Sequence, residues 1–125
     1  MDLAMSALLD DLHTSGLLDD TLVVMAGEFA RAPEISLLEK HYKGPRRDRW
    51  GALQSKLLAG VGVKGGNVIG ASDKIGKYPT RDLQKPENLA ATIYEALGIP
   101  RDATYEDVTG RPYPVYNAHP IKGLI

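Results

Sequence analysis

Residues 21–33 read TLVVMAGEFARAP, and this stretch decides the fold class. Its first five residues, Thr21 to Met25, are apolar or β-branched without alternation, the pattern of a strand buried on both faces. At Gly27 the character changes. The glycine permits a tight turn, Glu28 sets a carboxylate beside the strand end, and Arg31 adds a planar cation with five donors. In open α/β sheets ligands collect outside the carboxyl ends of strands, so the polar residues at this turn are the first candidates for chemistry.

Working outward toward the N-terminus, Met1, Met5, Leu8 and Leu12 recur at helical spacing, with Leu9 beside them and Asp2, Asp10 and Asp11 on the wetter side. This predicts a helix over Met1 to Ser15 that ends at Gly16 as the left-handed C′ residue. Asp2 suits the positive end of the helix dipole, whereas Asp10 and Asp11 near the other end oppose it. His13 reads as a surface residue compatible with that end. A helix, a short turn and a buried strand then make half of a right-handed crossover unit.

Toward the C-terminus, Pro33, Gly44 and Pro45 break the chain into an irregular excursion as far as Arg49. Residues 34–42 (EISLLEKHY) carry a short helical pattern. Lys56 to Ala59 reads as a second strand, Asn67 to Ile69 as a short third one, and Asp73 to Asp82 as a polar loop. The final helix is the best marked element, with Pro86 at its first position, Glu87 in its first turn, and Leu89, Ala90, Ile93 and Leu97 along one side. Gly98 closes it, Ile99 supplies the apolar residue beyond, and Pro100 forbids continuation. Lys85 has no acceptor for the orphan amides, which predicts a weakly capped start. Residues 110–115 (GRPYPV) predict an extended, turn-rich tail. No internal repeat or low-complexity tract is present.

The 125 residues are enough for one domain spanning 1–125, and 43% hydrophobic residues suit a folded protein. The net charge of −1 conceals an asymmetry. Residues 1–20 hold five aspartates and no Lys or Arg, while residues 40–49 hold five Lys or Arg against Asp48. The absence of cysteine excludes disulfides, thiol catalysis and thiolate metal sites. With neither a basic-start signal peptide nor a run of 18 apolar residues, the expectation is no membrane association and, by default, a cytoplasmic protein.

Each candidate motif has a competing structural reading. Gly60-Val61-Gly62-Val63-Lys64-Gly65 satisfies the spacing of a dinucleotide-binding loop, but Asn67 to Gly70 reads as strand where that loop needs a helix. A hairpin-like turn is the better reading, and Lys64 belongs to no Walker motif. The basic loop 40–49, flanked by Tyr42 and Trp50, could track a nucleic-acid backbone, although the acidic first helix and near-zero net charge weigh against it. A solvated loop, or one that pairs with the acidic helix of a neighbouring subunit, is the better reading. Arg31, Arg46, Arg47 and Arg49 form a candidate anion site through their bidentate capacity. Glu28, Asp48 and Asp73, with His41 or His119, are candidate ligands for a divalent ion such as Mn, Zn or Ca, although no HxH or HExxH spacing unites them. Ser72 lies next to Asp73 without the GxSxG context of a nucleophile elbow.

Taken together, the runs LLDDLHTSGLLDDTLVVMAGEFARAP, RRDRW, KLLAGVGVKGGNVIGASDKIG, PENLAATIYEALGIP and DVTGRPYP resemble, in this order, the sulfatase-like family of unknown function abundant in planctomycete bacteria, a branch of the alkaline phosphatase and sulfatase superfamily. The resemblance covers nearly the whole chain. It implies an αβα fold, a place in the C-terminal portion of a longer chain, and a superfamily chemistry of metal-dependent phosphate- or sulfate-ester cleavage whose nucleophile lies upstream. Under it, Glu28 stands at an acidic metal ligand and Phe29 where a histidine would follow. Gly27-Glu28-Phe29-Ala30-Arg31-Ala32-Pro33 departs from the usual GEFGRTP at Ala30 and Ala32. Arg47-Asp48-Arg49-Trp50 places Arg49 where GRDHW has histidine, and arginine has no free lone pair for a metal.

The sequence therefore predicts an α/β, fragment-like αβα layered domain with a small parallel or mixed sheet and flanking helices. It predicts a domain that is not an enzyme on its own and needs no cofactor, acting through self-association or by binding a partner chain or an anion. The alternatives are part of a metal-dependent ester hydrolase completed by another chain, or weak nucleic-acid binding through loop 40–49. Cutting a large sheet to a few strands exposes edges and apolar faces, so a homo-oligomer or a complementary chain is the expected partner.

Overall fold

The structure is a computed structural model that describes residues 2–37 and 43–125. It shows a small mixed α/β domain with short helices and small antiparallel sheets. The chain divides into two compact units. One comprises Met1–Val24, Leu58–Val68 and Gln84–Ile125; the other comprises Met25–Leu57 and Ile69–Leu83.

In the first unit, helix α1 (Asp2–Thr14) follows the apolar spacing of its sequence, with Met5, Leu9 and Leu12 half-buried and Leu8 exposed. The backbone leaves the helix at Gly16, whose φ of 75° is open to glycine at no steric cost, and passes into a 3₁₀ turn, Leu17–Asp19. The glycine-rich run then folds back on that turn. Gly60 has φ 87°, and a Cβ there would collide with the Thr21 carbonyl oxygen and lie 2.8 Å from that of Leu18. The Val61 amide donates to the Leu18 carbonyl at 3.1 Å. These glycines serve close backbone approach, and the expectation of a turn at this motif holds. The expected strand at Asn67 to Ile69 is not formed.

Helix α2 (Pro86–Ala96) runs almost over its expected span, and Gly98 (φ 73°) ends it. The Ile99 amide reaches the Tyr94 carbonyl at 2.9 Å and the Gly98 amide reaches that of Glu95 at 2.9 Å, the paired bonds of a Schellman ending. At the other end Lys85 offers no acceptor, and Asn88 compensates. Its Oδ1 accepts from the Lys85 amide at 2.9 Å, and its Nδ2 donates to the His119 carbonyl at 2.8 Å. Among the described residues the buried set is Ala91, Thr92, Tyr116 and Ile121. Thr92, fully buried, joins α2 to the C-terminal segment: its hydroxyl donates to the Asn88 carbonyl at 2.7 Å and accepts from the Ile121 amide at 2.8 Å. Tyr116 stacks on Tyr94 at 5.3 Å and donates its hydroxyl to the Ile99 carbonyl. The tail, expected as extended and turn-rich, forms an antiparallel hairpin with the strand before it, as described below.

Strand β1 (Val23–Ala26) is the heart of the opening stretch. It pairs with β4 (Lys56–Ala59), which lies where its sequence predicts. The expectation of a strand buried on both faces does not hold: β1 alternates between half-buried and exposed residues. The remaining pairs are antiparallel: β2 (Ala30–Arg31) with β3 (Arg49–Trp50), β5 (Ala71–Ser72) with β6 (Pro79–Arg81), and β7 (Thr104–Glu106) with β8 (Pro112–Pro114). The stretch Asp73 to Asp82, expected as loop alone, thus contains a strand. Of the helix expected over 34–42, residues 34–37 are not helical, because Ser36 bridges Arg46 in an antiparallel arrangement. Residues 38–42 lie outside the described residues.

Candidate anion-binding face

The polar residues after β1 are organised by the return of the excursion upon itself. Ala30 lies opposite Trp50 and Arg31 opposite Arg49. The Ala32 amide donates to the Asp48 carbonyl at 2.8 Å, and further out Ser36 and Arg46 exchange both backbone bonds, at 2.9 and 3.1 Å. Pro33 and Pro45 have no amide to give to this ladder. Directly opposed positions on an antiparallel pair project to the same face, and positions two apart along a strand share it. Arg31 and Arg49 therefore belong to one face, and both are exposed; Arg47, two residues before Arg49, is exposed as well.

Four arginines were candidates for anion binding, and the structure relates them through this arm. The Arg31 Nη1 donates to the Arg47 carbonyl at 3.5 Å, a long brace that leaves its other donors unused by that contact. The Arg49 guanidinium lies 5.8 Å from the ring centre of Phe29, within cation–π range, which steadies it over an aromatic surface. Arg46 is placed by its backbone exchange with Ser36. Like charges directly opposite on a strand pair repel. The ion pairs among the described residues are Lys77 with Glu34 at 2.7 Å and Arg81 with Asp82 at 3.4 Å, so neither Arg31 nor Arg49 is neutralised by one.

Two of the candidate metal ligands, Asp48 and Asp73, are put to other uses. Asp48 is half-buried, and its Oδ2 accepts from the Ser36 hydroxyl at 2.9 Å. Asp73 closes the β5–β6 turn, accepting from the Lys77 amide at 2.7 Å and the Tyr78 amide at 3.1 Å. Those amides, Lys77 first, hold its carboxyl below the usual range despite the desolvation that opposes them. Glu28 is exposed. His119 has its ring Nε2 3.3 Å from the Arg101 Nη2, and His41 lies outside the described residues. Among the described residues no group of three or more His, Cys, Asp or Glu is arranged to hold a metal ion, so Glu28, Asp48 and Asp73 are not brought together as one.

Sequence reasoning missed the aromatic and ionic support around this arm. Trp50 donates its indole N–H to the Lys77 carbonyl at 2.5 Å and meets Tyr78 edge-on at 5.5 Å. The Lys77 ammonium lies 5.6 Å from the Trp50 ring centre. It also binds Glu34, a hydrogen bond that raises the lysine pKa above its ordinary value. The alternation of Arg49 outward and Trp50 inward was the available signal, but a two-residue strand is too short for periodicity to declare itself.

The family described as "Protein of unknown function (DUF1501)" matches residues 1–125, and the chain belongs to it. No curated protein and no solved structure matches the chain. The match corrects the resemblance to the sulfatase-like branch of the alkaline phosphatase superfamily: the family is DUF1501, so neither the sulfatase-like label nor the ester-cleaving chemistry inferred from it is retained. No helix among the described residues is long and apolar enough to cross a membrane.

Proposed function

We propose that this member of the DUF1501 family is a non-catalytic binding domain that works by assembly, taking an acidic polypeptide surface on the arginine face of β2 and β3. The observation that carries the reading is the direct opposition of Arg31 and Arg49, both exposed and neither in an ion pair among the described residues. Such a pair is electrostatically unfavourable alone and is relieved when carboxylates approach, each able to take two parallel N–H bonds from a guanidinium. A polypeptide suits the site better than a single small anion. Arg31 and Arg49 stand on the exposed side of a strand pair, and the Ala32 amide, the neighbouring backbone donor, is already bonded to the Asp48 carbonyl.

Two further features support assembly. Helix α1 buries none of its residues, and Leu3, Ile35, Val68 and Val108 are all well exposed. Partner contact is the ordinary means of covering such surface. The non-catalytic part of the reading is supported by the use of Asp48 and Asp73 as structural acceptors. The match of one family to residues 1–125 supports treating both units as parts of one domain.

The test is fluorescence anisotropy with a labelled oligo-glutamate peptide at low salt. Binding should weaken about tenfold in the R31Q/R49Q double variant, the sum of two exposed charge contacts of ~0.7 kcal/mol each. Equal affinity of the wild type and the double variant, or equally tight binding of a single-stranded oligonucleotide of matched charge, would refute it.

A further inference from the structure

We propose that the acidic surface taken by the arginine face is the α1 and 3₁₀ segment of a second copy of this chain. The inference rests on the assembly reading above and names its partner. Asp10, Asp11, Asp19 and Asp20 are all exposed and lie within eleven residues of one another along this segment. None of them takes part in an ion pair among the described residues. Asp10 and Asp11 stand in the C-terminal half of α1, where the helix dipole repels negative charge, so their carboxylates gain from an external cation. Among the described residues the chain thus carries an acidic segment and a basic strand pair that no ion pair neutralises, while its net charge is only −1. Each surface is the complement the other lacks, and complementary charge of this kind selects partner and register.

The shape at the acidic end strengthens the match. Leu8, Asp11, Leu12, Thr14, Ser15 and Leu17 line a shallow groove between α1 and the 3₁₀ turn. Leu8 and Leu17 are exposed there, 45% and 56%, without apolar cover. An arginine suits such a groove: its aliphatic stem lies against leucine side chains while its guanidinium meets a carboxylate. Arg49 is presented for this beside Phe29, itself 47% exposed, so that an arginine and an aromatic ring would be covered together. Tyr, Phe, Trp and Arg are the residue types that most often anchor protein interfaces.

Charge reversal tests the assignment. The R31E/R49E variant and the D10K/D11K variant are each examined by sedimentation velocity, alone and mixed in equal amounts, alongside the oligo-glutamate binding assay. Each variant alone should lose self-association by about tenfold or more relative to wild type. The mixture should recover it, because every reversed surface then meets an oppositely charged one. Self-association that survives D10K/D11K but is lost in R31E/R49E would overturn this inference while leaving the binding reading standing. So would a wild-type chain that binds oligo-glutamate yet never self-associates. Self-association that R31E/R49E leaves unchanged while abolishing oligo-glutamate binding would likewise overturn only this inference, whereas oligo-glutamate binding that R31E/R49E leaves unchanged would refute the binding reading itself. Circular dichroism of both variants confirms that lost association is not lost folding.

Discussion

Replacing Thr92 by valine is expected to unfasten the C-terminal segment from α2. Thr92 is fully buried, and its hydroxyl is the acceptor for the Ile121 amide at 2.8 Å while donating to the Asn88 carbonyl at 2.7 Å. Valine reproduces the shape and removes both functions. The net loss of a hydrogen bond costs about 1 kcal/mol, and an amide left buried without a partner raises the penalty to about 1–3 kcal/mol. Serine is the informative control. It keeps the hydroxyl and loses one methyl, a cost of ~1 kcal/mol at most if the site closes over the gap. Urea unfolding followed by circular dichroism should therefore rank the variants wild type, T92S, T92V in falling stability. The valine variant should melt roughly 5–10 °C lower, given the entropy of unfolding of a domain of this size. A loss of this size is a large fraction of the net stability of a small domain. If T92V proved as stable as wild type, or if T92S were the more damaged of the two, the hydroxyl would not be the fastening and the reasoning would fail.

Three other outcomes follow from the geometry. Gly60→Ala should destabilise by at least about 2 kcal/mol, since a Cβ would meet the Thr21 and Leu18 carbonyls at a φ of 87°; Gly62→Ala, with φ 71° and no heavy atom closer than 4.0 Å, should cost only about 1 kcal/mol in the same melts. Asp73 and Asp107 are both held below the ordinary aspartate range, Asp73 first by the Lys77 amide and Asp107 first by the Thr109 hydroxyl. Their stabilising effect is therefore complete above about pH 3.9 and lost as the pH falls through their lowered folded values, and the D73N/D107N variant should flatten that acid limb of stability against pH. The Lys77 pKa moves the other way, so the contribution of its bond to Glu34 persists below about pH 10.4 and fades as the pH rises through the raised folded value; K77M should lose that alkaline dependence.

The parts of the fold that were legible in the sequence are those specified by local chemistry. Pro86, Gly98 and Pro100 bound α2 because a missing amide and a left-handed backbone act within a few residues, wherever the rest of the chain lies. Lys56 to Ala59 was legible for a related reason, as an apolar run stopped by glycine. The cap at Lys85 was misjudged because the compensating group, Asn88, lies inside the helix rather than at its cap position. Strand β1 was assigned burial on both faces from its apolar content, yet exposure is decided by what packs against a strand, which content does not specify. The pairs β2–β3 and β5–β6 have strands of two or three residues, and no period emerges over so short a span.

The candidate site was legible in composition and not in arrangement. Arg31, Arg46, Arg47 and Arg49 stood out as a cluster of charge, but the fact that gives them meaning is the opposition of Arg31 and Arg49 across a strand pair eighteen residues apart. Phe29 drew notice for a missing imidazole, whereas its place in the structure is beneath the Arg49 guanidinium. Asp48 and Asp73 looked like available ligands because a carboxylate in a sequence carries no sign of the hydroxyl or amides that will occupy it.

Sedimentation of the wild-type chain as concentration and salt are varied tests the assembly most directly. At low ionic strength and tens of micromolar protein, the mass should exceed that of one chain and fall toward it as salt rises from about 50 to 500 mM, because exposed complementary charges are screened over a few ångströms at the higher value. The melting temperature should rise with protein concentration over the same low-salt range. A single-chain mass at every concentration and salt, with a melting temperature that does not move, would contradict assembly through the arginine face of β2 and β3 and the acidic segment of α1.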